Sequence, residues 1–338
     1  MKILYIEYLR FLAAISVIMI HITGRAVYVL GENVRTNSEI FITSVSIDSF
    51  FRFCVPIFFM ISGALVFKKE EINIKSFLIN RFNRIVVPVI VWGYAYSFTY
   101  NKGMTFIEHT KNVLLGNGFY HLWFLYSIIG IYLITPIIHK FIKNSSKREI
   151  EYLIGIGLIC NFIIPIVNKN FSIDLGATLN LNYVSGYLMY FILGYYLMVY
   201  DIKILNNRKN CTIVYLVSTI IMMLSTLVVS FIEGKYNVLF IQYSWILVVI
   251  QSIAIFCLFK SIEFKDDRII KLSSLFMGIY ILHIFILEGY QNMWNIDYNT
   301  LSIFIYLIYI LIGIIYIYVV TSALVYVLKR VPIVKNVL

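Results

Sequence analysis

Residues 303–328 read IFIYLIYILIGIIYIYVVTSALVYVL and contain no charged side chain. About 20 residues of this kind cross the roughly 30 Å hydrocarbon core of a bilayer as a helix, which rises about 1.5 Å per residue. Within hydrocarbon, only a helix or a closed barrel satisfies its own backbone hydrogen bonds, and a continuous apolar run favours the helix. This stretch therefore predicts a transmembrane helix.

The rest of the 338-residue chain has the same character, with 61% hydrophobic and 13% charged residues. Soluble domains carry about 25% charged residues, so too few remain here to cover a water-facing surface of this size. We predict an all-α integral membrane protein, a bundle of about ten transmembrane helices that forms a single domain over residues 1–338. The predicted spans lie near residues 4–23, 42–67, 84–101, 121–141, 150–167, 183–202, 211–232, 239–260, 274–291 and 299–328.

The net charge of +11 is distributed unevenly between the two sides of these spans. Of the 28 Lys and Arg residues, 20 fall on the side of the N-terminus, beginning with Lys2, and 7 fall on the other side. The positive-inside rule then predicts a multi-pass protein of the cell membrane with both termini in the cytoplasm. Because topology explains the basic balance, we expect no nucleic-acid partner. The first apolar run contains Glu7 and Arg10 and has no small-residue cleavage site, so we interpret it as a retained helix.

The four cysteines do not have the spacing of metal ligands, so we expect no metal and interpret them as apolar packing residues. They are Cys54, Cys160, Cys211 and Cys257.

The first predicted helix carries three ionisable side chains, Glu7, Arg10 and His21. An ionisable residue inside a membrane span is costly and marks a functional site by default. At about 100° per residue, Arg10 and Glu7 lie roughly 20° and 40° to either side of His21, so all three share one stripe. His21 lies about 16 Å further along the helix than Arg10. A functional path through the bilayer fits this pattern, and so does a structural Glu7–Arg10 pair beside an interfacial histidine.

The second predicted span holds Asp48 and Arg52, one turn apart and near its outer end. An i,i+4 ion pair is the structural interpretation of these two residues, and a functional site is the alternative. Further along the span, Ser62 and Gly63 are small enough to let another helix or a slender ligand approach closely.

Two arginines, Arg81 and Arg84, follow this span on the predicted cytoplasmic side. At positions i and i+3 they lie on neighbouring helical turns and are able to grip phosphates. Ordinary positive-inside anchoring explains them equally well.

Aromatic and imidazole side chains mark the beginnings of two later helices. The fourth predicted helix opens with Tyr120, His121 and Trp123, and an interfacial aromatic belt explains the tyrosine and the tryptophan but not the histidine. In the ninth predicted helix, Tyr280 and His283 lie on one face, and Glu288 lies further out. A histidine in this position fits packing or hydrogen bonding as well as catalysis.

Together these segments resemble the membrane-bound acyltransferase 3 family, and the resemblance covers nearly the whole chain. Because we predict no soluble domain beside the helices, the chain resembles in particular the surface polysaccharide O-acetyltransferase branch of that family. The segments that carry the resemblance are Arg10 and His21 with ten residues between them, Phe58 to Gly63 (FFMISG), Arg81-x-x-Arg84 followed by Pro88, Tyr120-x-x-Trp123, and Tyr280-x-x-His283.

The resemblance implies transfer of an acyl group, usually acetyl, from cytoplasmic acyl-CoA to a hydroxyl acceptor at the outer face, such as a glycan or its lipid-linked precursor. It implies that His21 is the catalytic imidazole and that Arg10 supports it or the donor. It also implies that Arg81 and Arg84 contact the CoA phosphates and that Tyr120 belongs to the acceptor site. We expect a helix-lined channel beside Ser62 to guide the pantetheine arm to the histidine.

One departure concerns the partner of the catalytic histidine. Many family members carry a glutamate shortly before the position of Tyr120, whereas residues 114–119 here read LLGNGF. His121, Asp48 and Glu288 are the alternatives for this partner. Acyl transfer to a hydroxyl needs a base that titrates near the operating pH and donors for the developing oxyanion. Ser62, Tyr120 and Trp123 are candidate donors, and His21 fits the role of base or of transient acyl carrier.

Two other functions are compatible with the same residues. A transporter or flippase without bond chemistry would use the polar stripe as a substrate path, but would need Arg81 and Arg84 only for topology. A scaffold in an envelope-synthesis complex would tolerate loss of His21. The acceptor, the acyl chain and the oligomeric state, including a homo-oligomer, remain open.

Overall fold

The computed structural model describes residues 3–172, 174–179, 186–335 and 337–338. Lys2 and the first residues of the predicted span 183–202 lie outside the described residues. The described part of the chain is helical between its turns and contains no strand, which confirms the predicted all-α class. The helices of the first half are α1 (Leu4–Leu30), α2 (Ser38–Phe51), α3 (Cys54–Phe67), α4 (Ile74–Arg81), α5 (Val87–Tyr100), α6 (Phe106–Leu114), α7 (Trp123–Asn144) and α8 (Lys147–Leu158).

The second half continues in the same way. Its helices are α9 (Ile164–Phe171), α10 (Leu175–Thr178), α11 (Leu188–Val199), α12 (Arg208–Glu233), α13 (Ile246–Lys260), α14 (Ile269–Ser273), α15 (Phe276–Trp294), α16 (Ile303–Leu328) and α17 (Pro332–Lys335).

Seven helical segments of the described chain are long and apolar enough to cross a membrane. Helix α11 is apolar but shorter. The predicted spans 84–101 and 274–291 are helical without being among the seven, so the predicted number of about ten crossings is not confirmed. The seven segments are Leu4–Leu30, Ser38–Phe67, Tyr120–Asn144, Lys147–Asn168, Arg208–Glu233, Leu239–Lys260 and Ile303–Leu328.

Ring contacts show how α1, α15 and α16 run relative to one another. Phe11 and His21 of α1 contact Phe276 and His283 of α15, so these two helices are parallel. Helix α16 is antiparallel to α15, because the beginning of α15 lies against Val325 and its far end contacts residues 309–316. The beginning of α1 and the end of α16 therefore lie on the same side of the bundle. We call it the basic side, because Lys69, Arg81 and Arg84 lie there around one cavity with Arg10 of α1.

Four prolines lie inside the bundle, and three of them follow a helix break or a π-helical turn. Proline has no N–H, so the carbonyl four residues before it loses its helical partner. Pro56 explains why α2 ends before Arg52 and a new helix begins at Cys54. π-helical turns at Phe82–Val86 and Ile159–Ile163 precede Pro88 and Pro165 in the same way, and Pro136 lies inside α7. Such turns restore hydrogen bonds that proline removes inside a membrane.

Helices α3 and α11 pack directly against each other through two glycines. A Cβ atom on Gly63 would overlap the carbonyl oxygen of Phe191, and one on Gly194 would overlap the carbonyl oxygen of Met60. Small residues are what allow backbones to approach this closely in a membrane bundle. The close approach predicted for Gly63 is confirmed, and its partner is a helix.

Candidate functional site

Three of the five histidines of the chain meet in the middle of the bundle. His21 comes from α1, His283 from α15, and His121 from the short turn Tyr120–Leu122 that leads into α7. The His21 and His283 ring centres are 5.2 Å apart, and those of His283 and His121 are 5.5 Å apart. The sequence singled out each of the three separately, and the fold brings them into one cluster, which we call the histidine cluster.

The tautomers of two of these histidines follow from their hydrogen bonds. His283 Nδ1 lies 2.7 Å from the carbonyl of Tyr280 and 3.1 Å from that of Ile279. A carbonyl only accepts, so in the neutral ring Nδ1 carries the proton and Nε2 holds the lone pair. By the same reasoning, His121 Nε2 donates to the Ile281 carbonyl at 3.3 Å and leaves the lone pair on Nδ1. Both lone-pair nitrogens are buried and have no partner among the described residues.

Two tyrosines flank the histidine cluster on different sides. The ring of Tyr120 is 5.6 Å from that of His21, and its hydroxyl has no acceptor among the described residues. The hydroxyl of Tyr280 donates to the His121 carbonyl, while its ring centre is 5.8 Å from the ring centre of His121. Tyr120 therefore keeps a donor for a ligand, whereas Tyr280 holds the turn that carries His121.

Tyr96 is a site residue that the sequence analysis missed. It is fully buried, its ring meets His121 edge-on at 4.8 Å, and its hydroxyl donates to the Ile281 carbonyl at 2.6 Å. The Ile281 carbonyl thus accepts hydrogen bonds from both Tyr96 and His121, and this fixes the orientation of the His121 imidazole. Nothing distinguishes Tyr96 from the other 26 tyrosines in the sequence.

A cavity of about 440 Å³ runs from the basic side towards the histidine cluster. We call it the inner cavity. Lys69, Arg81 and Arg84 line it on the basic side, and Phe124 and Tyr280 are also among its lining residues. Arg81 lies over the Tyr132 ring at 4.6 Å, and its Nε atom is buried without a partner in the described chain. His21 does not line this cavity, so the predicted channel is present only as far as Tyr280.

Arg10 and Ser62 also line the inner cavity, as expected. Arg10 forms the predicted pair with Glu7, at 2.6 Å between Nη1 and Oε2. The Ser62 hydroxyl donates to the Phe58 carbonyl at 2.8 Å. That bond occupies its only proton, so of the three expected oxyanion donors, Tyr120 and Trp123 remain free in the described chain.

Asp48 and Arg52 form the predicted ion pair, at 3.0 Å. They do not lie near the outer end of a span, however. The helical segment Ser38–Phe67 begins earlier than expected, which places the pair at the break between α2 and α3. The end of α3 and the start of α1 both lie on the basic side. Arg52 is about 23 Å along the helix from the first and His21 about 26 Å from the second, so the two residues are at similar depth.

A second cavity of about 340 Å³, which we call the outer cavity, begins at this break. Arg52, Asn161 and Tyr187 line it together with Tyr243. A wall of aromatic rings separates it from the inner cavity: Phe59 is 4.7 Å from Phe124 on one side and stacks on Tyr187 at 4.5 Å on the other. Trp123, expected to belong to an interfacial belt, instead packs against Tyr187 and Tyr243 at 5.2 and 5.8 Å.

The proline pattern and the cavities coincide. The residues four positions before Pro56 and Pro165 are Arg52 and Asn161, which line the outer cavity. The corresponding residues before Pro88 and Pro136 are Arg84 and Tyr132, which line the inner cavity. Helix irregularities of this kind are common at functional sites.

The candidate partners of His21 differ in position. Asp48 is paired with Arg52, and Glu288, which forms no hydrogen bond or ion pair with the described residues, lies near enough to Tyr120 to act on it electrostatically. His283 contacts the His21 ring directly, and His121 contacts the ring of His283. The four cysteines are buried and unpaired. Within the described ranges no group of three histidine, cysteine or acidic side chains is arranged to hold a metal ion.

The fold and the site define an all-helical, multi-pass membrane protein whose polar centre lies beside two cavities. The acyltransferase domain model of the acyltransferase 3 type matches residues 3–322, and the chain belongs to this family.

Curated relatives with detectable similarity come from Staphylococcus aureus. The proteins of strains Mu50 and N315, each called "Probable poly-beta-1,6-N-acetyl-D-glucosamine export protein", are 26% identical over 324 residues, covering 89% of this chain and 87% of the relative. The protein of the same name from strain MRSA252 is 25% identical over 319 residues, with the same coverage of both chains. No solved structure shows a significant match.

Proposed function

We propose that this protein is a membrane O-acyltransferase that takes a short acyl group, acetyl in the simplest case, from cytoplasmic acyl-CoA. The acceptor is a hydroxyl group of a surface glycan or of its lipid-linked precursor at the outer face. The observation that carries the proposal is the position of the histidine cluster, beside a basic inner cavity and at the depth of a separate outer cavity. Both termini are then cytoplasmic, since the basic side is the cytoplasmic side.

The inner cavity suits the donor in size and charge. Its volume falls within the roughly 300–1,000 Å³ range of ligand pockets. Lys69, Arg81 and Arg84 supply cations for phosphates at its mouth, and Arg81 keeps an unpaired buried N–H for a further bond. The walls towards Tyr280 are mostly apolar, as a thioester on an extended pantetheine arm requires.

The proposed reaction forms one bond and breaks one. The acceptor oxygen attacks the acyl carbonyl carbon, and its proton passes to His21. The carbon–oxygen bond forms as the carbon–sulfur bond breaks, and the oxyanion between them accepts a hydrogen bond from Tyr120. The products are the O-acyl ester and the CoA thiolate, which takes up the proton. An acyl group carried briefly on the His21 imidazole is the two-step alternative.

The histidine cluster offers a route for that proton. The proton passes from the acceptor to His21, and the thiolate, once its bond to the shared carbon breaks, withdraws into the inner cavity towards Tyr280. His283 lies between the two, with the Nε2 lone pair free to accept a proton. In this protein His283 and His121 therefore take the place of the glutamate that the 114–119 segment lacks.

The relatives favour a particular acceptor class. Their name refers to a polymer of N-acetyl-D-glucosamine, and every sugar of such a polymer presents free hydroxyl groups. A hexosamine polymer of this type is the acceptor that we propose.

The same name favours a second function, export of the glycan without bond chemistry. The outer cavity would then be part of the export path, and the inner cavity would have no need of its arginines.

Neutral replacement of the phosphate-binding arginines separates the two functions. We expect Arg81→Gln with Arg84→Gln to raise the KM for acetyl-CoA by about tenfold to a hundredfold, since a hydrogen bond to a charged group contributes about 1.5–3 kcal/mol. The readout is release of free CoA by the purified protein in proteoliposomes.

Lys75→Gln removes a charge from the same side but outside the inner cavity, and is the matched control. It should leave KM unchanged. If the double variant binds acetyl-CoA like the wild type while glycan crosses the membrane normally, the export function is correct and the transferase proposal fails.

A further inference from the structure

The outer cavity lies where three helices begin, two of them after a break or a turn within a longer apolar segment. Helices α3, α11 and α13 are 14, 12 and 15 residues long, or about 18 to 22 Å. Their first turns leave a space beyond the aromatic wall. Helices α11 and α13 start without a side-chain cap, so the N–H groups of their first turns lack side-chain acceptors.

Arg52 is the central donor of this cavity and is held in a fixed position. Its Nη1 binds Asp48 at 3.0 Å, its Nε donates to the Ile241 carbonyl at 2.6 Å, and the guanidinium lies over the Tyr243 ring at 4.3 Å. No described residue accepts a hydrogen bond from Nη2. The two rigid N–H groups of Nη2 therefore remain for an oxygen atom of a ligand. Asp48 neutralises the guanidinium, so this donor brings no net charge.

Aromatic rings form a corner beside Arg52. The Tyr187 and Tyr243 ring centres are 6.4 Å apart at an interplanar angle of 62°, and Trp123 packs against both. The Tyr190 hydroxyl donates to the Tyr243 carbonyl at 2.6 Å, which fixes that side of the corner. Gln242 and Ser244 add amide and hydroxyl groups to the lining.

This combination fits a particular kind of molecule. Fixed N–H donors bind hydroxyl and acetamido oxygens, and aromatic faces pack against the C–H face of a pyranose ring. A carboxylate or phosphate bound at Arg52 would lie beside the Asp48 carboxylate and be repelled by it. Arg52 is the only arginine among the described lining residues, so no second guanidinium would compensate. A neutral, amide-bearing sugar therefore fits better than an anion.

The cavity is also connected to the reaction centre. Tyr120 contacts the His21 ring, and Trp123, one helical turn later, contacts the outer cavity. A sugar bound beside Arg52 thus lies next to the residues that would activate its hydroxyl group.

We infer that the outer cavity is the acceptor subsite, and that it binds a neutral N-acetylhexosamine unit between Arg52 and the Tyr187–Tyr243 corner. As an acceptor subsite it rests on the proposed function. As a sugar-binding site it can be tested without any acyl donor.

Binding of a short β-1,6-linked N-acetylglucosamine oligosaccharide to the full chain in lipid nanodiscs, without acyl-CoA, tests the inference. We expect Tyr187→Leu to weaken binding about tenfold, since it removes the packing face. Tyr187→Phe keeps that face and should bind within about twofold of the wild type. Gln242→Ala, at an exposed side chain, should weaken binding without disturbing the fold. Tyr28→Leu, at an exposed tyrosine near the far end of α1, is the matched control and should bind like the wild type.

Equal binding by Tyr187→Leu, Gln242→Ala and the wild type would overturn the assignment of the site. Stronger binding of a uronic acid oligomer than of the neutral oligosaccharide would overturn the ligand class. Release of CoA by the wild type is measured separately. If the wild type releases CoA but the substitutions leave oligosaccharide binding unchanged, only this inference is refuted. If the substitutions weaken binding as expected but the wild type releases no CoA, only the transferase function is refuted.

Discussion

His21→Ala is expected to lower the rate of acyl transfer by about 10² to 10⁴, the usual contribution of a general acid or base. His21 lies 5.6 Å from the ring of Tyr120, the residue with a free hydroxyl donor, and unlike His121 it donates no hydrogen bond to a backbone carbonyl of the described chain. Alanine leaves the acceptor hydroxyl without a base, while the inner cavity, which His21 does not line, keeps its affinity for the donor. The loss should therefore appear in kcat, with the KM for acetyl-CoA little changed.

His139→Gln is the matched control for this prediction. His139 Nε2 lies 2.9 Å from the Lys69 carbonyl, far from the cluster, and glutamine preserves a donor at that position. His283→Gln supplies a second comparison: if His283 relays the proton, kcat should fall, and added imidazole should restore part of it. Equal rates for His21→Ala and the wild type would remove His21 from the chemistry.

Gly194→Ala is expected to prevent normal assembly of the bundle. The added methyl group would overlap the carbonyl oxygen of Met60, which is backbone and cannot rotate away. The cost should reach or exceed the upper end of the about 1–3 kcal/mol that is typical of overpacking. We expect Tm in detergent to fall by about 5 °C or more, together with the yield of monodisperse protein. Gly63→Ala should behave in the same way, for the reciprocal reason.

Gly130→Ala and Gly155→Ala are the matched controls, because a Cβ atom at either helical glycine has nothing within 4 Å. Both variants should keep the Tm of the wild type. The functional consequence of the close packing is that α3 and α11 hold Phe59 and Tyr187 in the wall between the two cavities. A Gly194→Ala protein with unchanged Tm would show that the two helices are free to move apart.

The sequence predicted the helical class and singled out the three members of the histidine cluster because those signals are local. A histidine or arginine inside an apolar run is conspicuous wherever the run folds. Pairs four residues apart, such as Asp48 and Arg52, are also predictable because one helix determines their distance. The stripe argument brought Arg10 and His21 to the correct face of α1.

The sequence could not predict the contacts between distant helices. Tyr96 supports His121 across 25 residues of chain. Tyr187 and Tyr243 meet from the turns that precede α11 and α13. Each is one of 27 tyrosines, and only the fold separates a site tyrosine from a packing one. The predicted depth of Arg52 was wrong because the helical segment begins at Ser38 and not near residue 42. The four bundle prolines are the signal that could have located both cavities, since each follows a lining residue by four positions.

In the proposed reaction, an acyl group crosses from one face of the protein to an acceptor on the other. The most direct test uses proteoliposomes with a β-1,6-linked N-acetylglucosamine oligosaccharide enclosed inside and acetyl-labelled acetyl-CoA added outside. We predict that label accumulates on the enclosed oligosaccharide, that free CoA stays outside, and that His21→Ala abolishes both. Oligosaccharide that crosses the vesicle membrane unlabelled, with acetyl-CoA intact, would contradict the transferase proposal and identify the protein as an exporter.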